Sequence, residues 1–169
     1  LTWDVFSRSI FGSANISVMV LLIVAGAVGF TQILAYTGAT YGMVQAITAM
    51  EASPSAIVAM MIGSVVFLGM FMGPLPIMLI TLPIYVPIVI QFGFDPIWFA
   101  AMYLVAIETG STSPPLGAAL FVMKAVAPVG TTMNDIYKAA LPFIICDILA
   151  LLILFYVPAL VTWPVDAMY

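Results

Sequence analysis

Histidine is absent from this 169-residue chain, cysteine occurs once, and three basic residues stand against seven acidic ones. Without histidine, the commonest general base and metal ligand is missing. Cys146 alone excludes a disulfide framework within the chain and offers no cysteine metal site. A serine nucleophile would need a lysine as its base, and Lys124 and Lys138 both sit at the edges of apolar runs, so no nucleophile–base pair forms. There is no phosphate-loop pattern and no basic cluster, which leaves no reading as an enzyme of that kind or as a nucleic-acid binder. What fills the chain instead is apolar: 65% of it is hydrophobic and 6% charged, with a mean hydropathy of +1.28. A soluble domain carries about 25% charged residues. The chain is therefore an integral membrane protein, and its long apolar runs, without two-residue alternation, predict helices rather than a barrel. The sequence starts Leu1-Thr2-Trp3-Asp4, with neither an initiator Met nor a signal-peptide pattern, and is expected to be a piece of a longer protein.

The expected order is a first span over 14–37 after an amphipathic lead-in, then an interfacial arm over 40–51 that is too short to cross. Gly26 and Gly29 in the first span allow close helix contact. Two apolar arms fill 55–92, after Ser53 as N-cap or Pro54 at the first helical position. They are parted by Gly69-Met70-Phe71-Met72-Gly73-Pro74-Leu75-Pro76, and Pro83 and Pro87 should bend the second. Each arm is about 24 Å long, so length alone leaves open two thin spans or a re-entrant hairpin. A broken span over 96–127 follows a turn at 92–96, and a last span runs over 138–161. If 55–92 begins and ends on one side, Arg8, Lys124 and Lys138 share a face, which the positive-inside tendency makes cytoplasmic.

The most informative stretch is Glu108-Thr109-Gly110-Ser111-Thr112-Ser113-Pro114-Pro115-Leu116-Gly117. The apolar halves on either side, 97–108 and 117–127, are each roughly 16–18 Å of helix, against a hydrocarbon core near 30 Å. Neither crosses alone; together they cross once, as a discontinuous helix. Two prolines remove two backbone donors, and irregular backbone at that depth survives only inside protein or against a cavity. Gly/Pro-interrupted segments are how secondary transporters present carbonyls to cations and helix N-termini to anions. The ordinary alternative is a pair of kinks between short helices. Hard cations take oxygen ligands, so the Na⁺ candidates are Gly69, Gly73, Thr109, Gly110, Ser111, Thr112 and Ser113. Gly73, Pro74, Ser113, Pro114, Pro115 and Gly117 are the candidates for holding a substrate. Intramembrane carboxylates default to functional hypotheses. Glu108 either balances a cation, carries a proton or bonds free N–H groups of the break; Asp147 faces a polar pocket or pairs with Lys138.

Taken in order, Gly69-Met70-Phe71-Met72-Gly73-Pro74, the proline-bearing arm, Gly93-Phe94-Asp95-Pro96, the Glu108–Gly117 stretch with Leu120-Phe121-Val122, and Ala140-Leu141-Pro142-Phe143 resemble one family. It is the large membrane subunit, DctM type, of the tripartite ATP-independent periplasmic (TRAP) transporters. The resemblance covers essentially the whole chain and fits the C-terminal part of that subunit. It implies an all-α elevator-type fold of two inverted repeats, of which this chain is the second. Residues 55–92 would be a re-entrant hairpin, and its tip would meet the broken helix around Na⁺. The resemblance further implies a multi-pass subunit of the bacterial inner membrane that imports organic acids, C4-dicarboxylates or sialic acid, by Na⁺ symport. Its partners would be the N-terminal repeat of the same subunit, a small membrane subunit, a periplasmic substrate-binding protein and the lipid bilayer, with no nucleic acid. The family often has Asp-Pro where this chain has Gly73-Pro74, and often Thr where this chain has Ser113. Alternatives are a related ion-coupled elevator that needs no binding protein, and a non-transporting scaffold subunit.

Overall fold

The computed structural model describes residues 3–39, 41, 42, 45 and 53–168, and among these every regular element is an α-helix. In chain order they are α1 (Trp3–Tyr36), α2 (Pro54–Gly69), α3 (Pro74–Gln91), α4 (Pro96–Ser111), α5 (Ala118–Val126), α6 (Met133–Tyr156) and α7 (Ala159–Asp166). The interfacial arm expected over 40–51 lies outside the described residues, apart from positions 41, 42 and 45.

Helix starts follow local chemistry. Ser53 caps α2 by accepting from the Ala56 N–H at 3.3 Å, with Pro54 in the first turn. Asp95 caps α4, its carboxylate accepting from the Ile97 and Trp98 N–H groups at 2.6 and 3.2 Å. Thr132 and Asp135 form a reciprocal capping box at the start of α6. That box begins the helix at Met133, five residues before the expected start of the last span, and the helix ends at Tyr156 because Pro158 follows. α1 begins at Trp3, so the amphipathic lead-in and the first span form one helix. α3 runs unbroken through Pro83 and Pro87.

Among the described residues three stretches are long and apolar enough to cross a membrane: Val5–Phe30, Pro74–Gln91 and Met133–Tyr156; α2, at 16 residues, is shorter. α2 and α3 form a helix–turn–helix about residues 70–73. α4 lies at the centre, packed on α2, α3, α6 and α7. The core is a single cluster from these elements, built on Val58, Val65, Ile77, Val89, Phe99 and Ala106, each at most 2% exposed. α1 and α6 present apolar side chains outward along nearly their whole length. Among the described residues nothing lies within 4 Å of a Cβ built on Gly26 or Gly29, so the close helix contact expected of them is not made there.

Candidate functional site at the paired breaks

The C-terminal end of α2 and the last turn of α4, each just before its break, come together at two glycines. A Cβ added to Gly69 would sit 2.7 Å from the Gly110 Cα, and one added to Gly110 would sit 2.7 Å from the Gly69 Cα and from the Val66 carbonyl oxygen. Backbone therefore meets backbone where α2 ends against the last turn of α4, the close approach that small residues permit between membrane helices. Both glycines are buried.

α4 continues through Glu108, Thr109, Gly110 and Ser111, so helix persists three residues beyond the expected half-span of 97–108. The reason lies in where proline acts. Pro114 and Pro115 lack the N–H groups that residues 110 and 111 would receive, and leave the turns before those residues intact. Four hydroxyls support this last turn. Thr109 Oγ1 donates to the Val105 carbonyl at 2.7 Å, Ser111 Oγ to Glu108 at 3.0 Å, Ser113 Oγ to Thr109 at 2.6 Å, and Thr112 Oγ1 is shared between Glu108 and Thr109. Each hydroxyl spends its proton on the helix's own backbone. What each has left is lone pairs, the chemistry of a cation ligand.

The double proline also frees carbonyls. For the Ser111 carbonyl both helical donors, at positions 114 and 115, are prolines, and among the described residues no backbone N–H reaches the Thr112 carbonyl. The segment then folds back over Gly117. A Cβ there would lie 2.7 Å from the Ser113 carbonyl oxygen and closer still to that of Ser111, so only glycine fits. The Pro114–Pro115 bond is cis. Thr109, Ser111 and Ser113 are 1%, 6% and 4% exposed, yet every buried polar side-chain atom among the described residues has a partner.

The other candidates divide. Gly73 is the N-cap of α3 with an ordinary φ of −71° and nothing within 4 Å of a built Cβ, so this chain's own packing does not require glycine there. Pro74 opens α3 from an exposed position, and Pro115 is exposed while Pro114 is half-buried. Glu108 projects from the last turn of α4 with its side chain exposed. Asp147 is half-buried in the middle of α6. Its expected pairing with Lys138 is not available: nine residues along one helix put about 13 Å between them, beyond the reach of the two side chains. Among the described residues no group of three or more His, Cys, Asp or Glu side chains is placed to hold a metal ion. Ligation here would fall to carbonyls and hydroxyls.

Several residues escaped the sequence reading. Ser64 and Tyr85 share a hydrogen bond of 2.5 Å between α2 and α3, and Thr81 and Tyr103 one of 2.6 Å between α3 and α4. Thr81 also donates to the Ile77 carbonyl, and Ser64 to that of Met61. Their signal was available, since each is a polar residue inside an apolar run. The Trp98 indole N–H donates to the Leu154 carbonyl at 2.7 Å, and the Tyr137 hydroxyl to that of Pro115 at 2.8 Å. The cavity of about 260 Å³ between α3 and α4, lined by Met78, Leu82, Val86, Val89, Phe99 and Leu104 among others, is apolar and contains no break residue. It offers an anion no partner.

Apolar helices long enough to cross a membrane, with α2 packed on α4 just before the double proline interrupts it, define an all-α membrane protein. The chain belongs to the family of the DctM component of tripartite ATP-independent periplasmic transporters, whose model matches residues 1–160. It is similar to the C4-dicarboxylate TRAP transporter large permease protein DctM of Pseudomonas aeruginosa, 32% identical over 149 residues, covering 87% of this chain and 34% of that protein. Its similarity to the sialic acid TRAP transporter permease protein SiaT of Haemophilus influenzae is 29% over 164 residues, covering 96% and 26%. With the isethionate TRAP transporter permease protein DctMQ of Oleidesulfovibrio alaskensis it shares 31% over 155 residues, covering 92% and 24%. The chain thus spans between about a quarter and a third of the length of these relatives. These relatives are transporter permease subunits rather than enzymes, and the family is one of the inner membrane.

Proposed function

We propose that this chain is the C-terminal repeat of a Na⁺-coupled permease subunit that imports small organic acids. The observation that carries the proposal is the meeting of the two breaks at Gly69 and Gly110. The end of α2 lies beside the last turn of α4, whose Ser111 carbonyl has lost both helical donors and whose hydroxyls keep only lone pairs to offer. In this reading Gly69, Gly73, Thr109, Gly110, Ser111, Thr112 and Ser113 surround Na⁺. Glu108 contributes charge from the edge of the site. The substrate is held by Gly73, Pro74, Ser113, Pro114, Pro115 and Gly117 together with groups of the N-terminal repeat. α2 and α3 act as a re-entrant hairpin, and the repeat moves as part of an elevator.

The relatives' names supply the substrate class: C4-dicarboxylate, sialic acid and isethionate are all small organic acids. No arginine lies in the helices around the breaks to fork a carboxylate. The anion is therefore met by backbone N–H groups and by the part of the subunit outside this chain. A small membrane subunit and a periplasmic substrate-binding protein complete the transporter.

The test is uptake by the full-length protein, reconstituted with both partners in liposomes under an inward Na⁺ gradient. Thr112→Ala and Ser113→Ala should each abolish Na⁺-dependent uptake of a C4-dicarboxylate or sialic acid. Unchanged uptake with unchanged Na⁺ dependence in both variants would remove these residues from the site.

A further inference from the structure

The far half of the broken helix is not held by its own backbone alone. Within 108–117 the backbone bonds are local: Thr112 N–H to the Glu108 carbonyl, Ser113 N–H to Gly110, Gly117 N–H to Ser113. The hydroxyl bonds of Ser111, Thr112 and Ser113 stay inside the same turn. Such bonds shape the segment internally and do not fix it against its neighbours. A bond that does so comes from Tyr137, twenty-two residues away, whose hydroxyl donates to the Pro115 carbonyl.

Tyr137 is itself set by the structure around it. Lys124 in the last turn of α5 donates through Nζ to the Thr131 carbonyl. Thr132 and Asp135 then close the capping box, Asp135 accepting from both the N–H and the hydroxyl of Thr132. The turn between α5 and α6 is clasped at its end, and Tyr137 follows two residues later. At the other end of α6, the Leu154 carbonyl accepts from the Trp98 indole. Seventeen residues separate Trp98 from Pro115, and seventeen separate Tyr137 from Leu154. α6 therefore lies antiparallel to α4 and the break in one register, as about 25 Å of uninterrupted helix bridging an interrupted one.

We propose that Tyr137 is a positioning residue for the cation site: by fixing the Pro115 carbonyl it holds in place the Ser111 and Thr112 carbonyls, which have no helical donors and which this reading gives to the ion. It rests on the reading of the break as the coupling-ion site. Tyr137 acts only through Pro115.

Tyr137→Phe in the full-length protein removes the hydroxyl and keeps the ring. The probe is NaCl, titrated at constant ionic strength against KCl, and the readout is the concentration giving half of the Na⁺-specific rise in melting temperature. That concentration should increase about five- to tenfold, the scale of one lost hydrogen bond, while the melting temperature in KCl alone stays within about 2 °C. Trp98→Phe serves as the comparison, since it cuts the tether at the other end of α6. It should lower the melting temperature in KCl and leave the Na⁺ half-point where it was. An unchanged half-point in Tyr137→Phe, or equal shifts in both variants, would overturn the proposal. So would a Tyr137→Phe protein that no longer folds, because a purely positioning tether leaves the core standing. A parent protein with no Na⁺ response overturns the reading of the break, and this proposal with it; a responsive parent with an unshifted variant overturns this proposal alone.

Discussion

Gly69 and Gly110 touch through their backbones, each occupying the space where the other's Cβ would stand. Two interruptions that are 41 positions apart in the sequence thereby become one place in the structure. The contact has no give on either side, because what a new methyl would meet is main chain and not the end of a flexible side chain.

Gly69→Ala and Gly110→Ala should therefore each destabilise the protein by about 1–3 kcal/mol, the range for overpacking a tight contact. Gly73→Ala should be close to neutral for stability, since its Cβ meets nothing among the described residues. Thermal melting of the three full-length variants in one detergent orders them. A Gly73 variant as damaged as the other two would place an unseen neighbour against the turn.

Gly117→Ala makes the same kind of prediction within the break itself. Its Cβ would run into the Ser113 carbonyl and into the Ser111 carbonyl, a group assigned to the ion. Stability in KCl and the Na⁺ response should both fall. A variant that melts lower but keeps its full Na⁺ response would separate the fold of the break from ion binding.

The hydroxyl pairs of the core predict coupled costs. Ser64 with Tyr85 and Thr81 with Tyr103 join three helices across apolar surroundings. Double-mutant cycles of Ser64→Ala with Tyr85→Phe, and of Thr81→Val with Tyr103→Phe, should return coupling energies of roughly 0.5–1.5 kcal/mol, as interhelical hydrogen bonds in membranes do. Because Thr81 and Ser64 also donate to backbone carbonyls, values at the lower end are expected. Zero coupling at both pairs would make them incidental neighbours.

Glu108 tests charge apart from fold. Its side chain is exposed and belongs to no packed contact of the core. Glu108→Gln should therefore change stability in KCl by no more than about 0.5 kcal/mol, as surface substitutions do, while weakening the Na⁺ response. An intact Na⁺ response would assign Glu108 no part in balancing the ion.

Much of this arrangement can be read from local chemistry. Ser53-Pro54 and Asp95-Pro96 start helices within two or three residues of themselves, and the double proline at 114–115 must interrupt one. Fold class follows from composition, because a chain with 6% charged residues has few other ways to satisfy its backbone. Family membership is legible because the Ser-Pro-Pro-Leu-Gly stretch and its surroundings are distinctive in order and spacing. The end of α4 was harder to place. Glu108 looks like the start of a polar break, yet a proline disrupts the bond to the carbonyl four residues before it, so helix continues to Ser111. Long-range partners were not legible at all. Nothing near Tyr137 in the sequence announces Pro115, and nothing near Ser64 announces Tyr85, since those meetings depend on the register of packed helices. The Asp147–Lys138 pairing failed for a plainer reason, the rise of a single helix.

The central claim is that the break after α4 binds Na⁺, and the most direct measurement is the melting temperature of the purified full-length protein in NaCl against KCl at equal ionic strength. Binding to the folded state alone stabilises by mass action, by about 2.7 kcal/mol at a hundred times the dissociation constant. A saturable rise in NaCl that is absent in KCl, and lost in Thr112→Ala and Ser113→Ala, is the predicted result. Identical melting in the two salts, or a Na⁺ response that survives both substitutions, would contradict it.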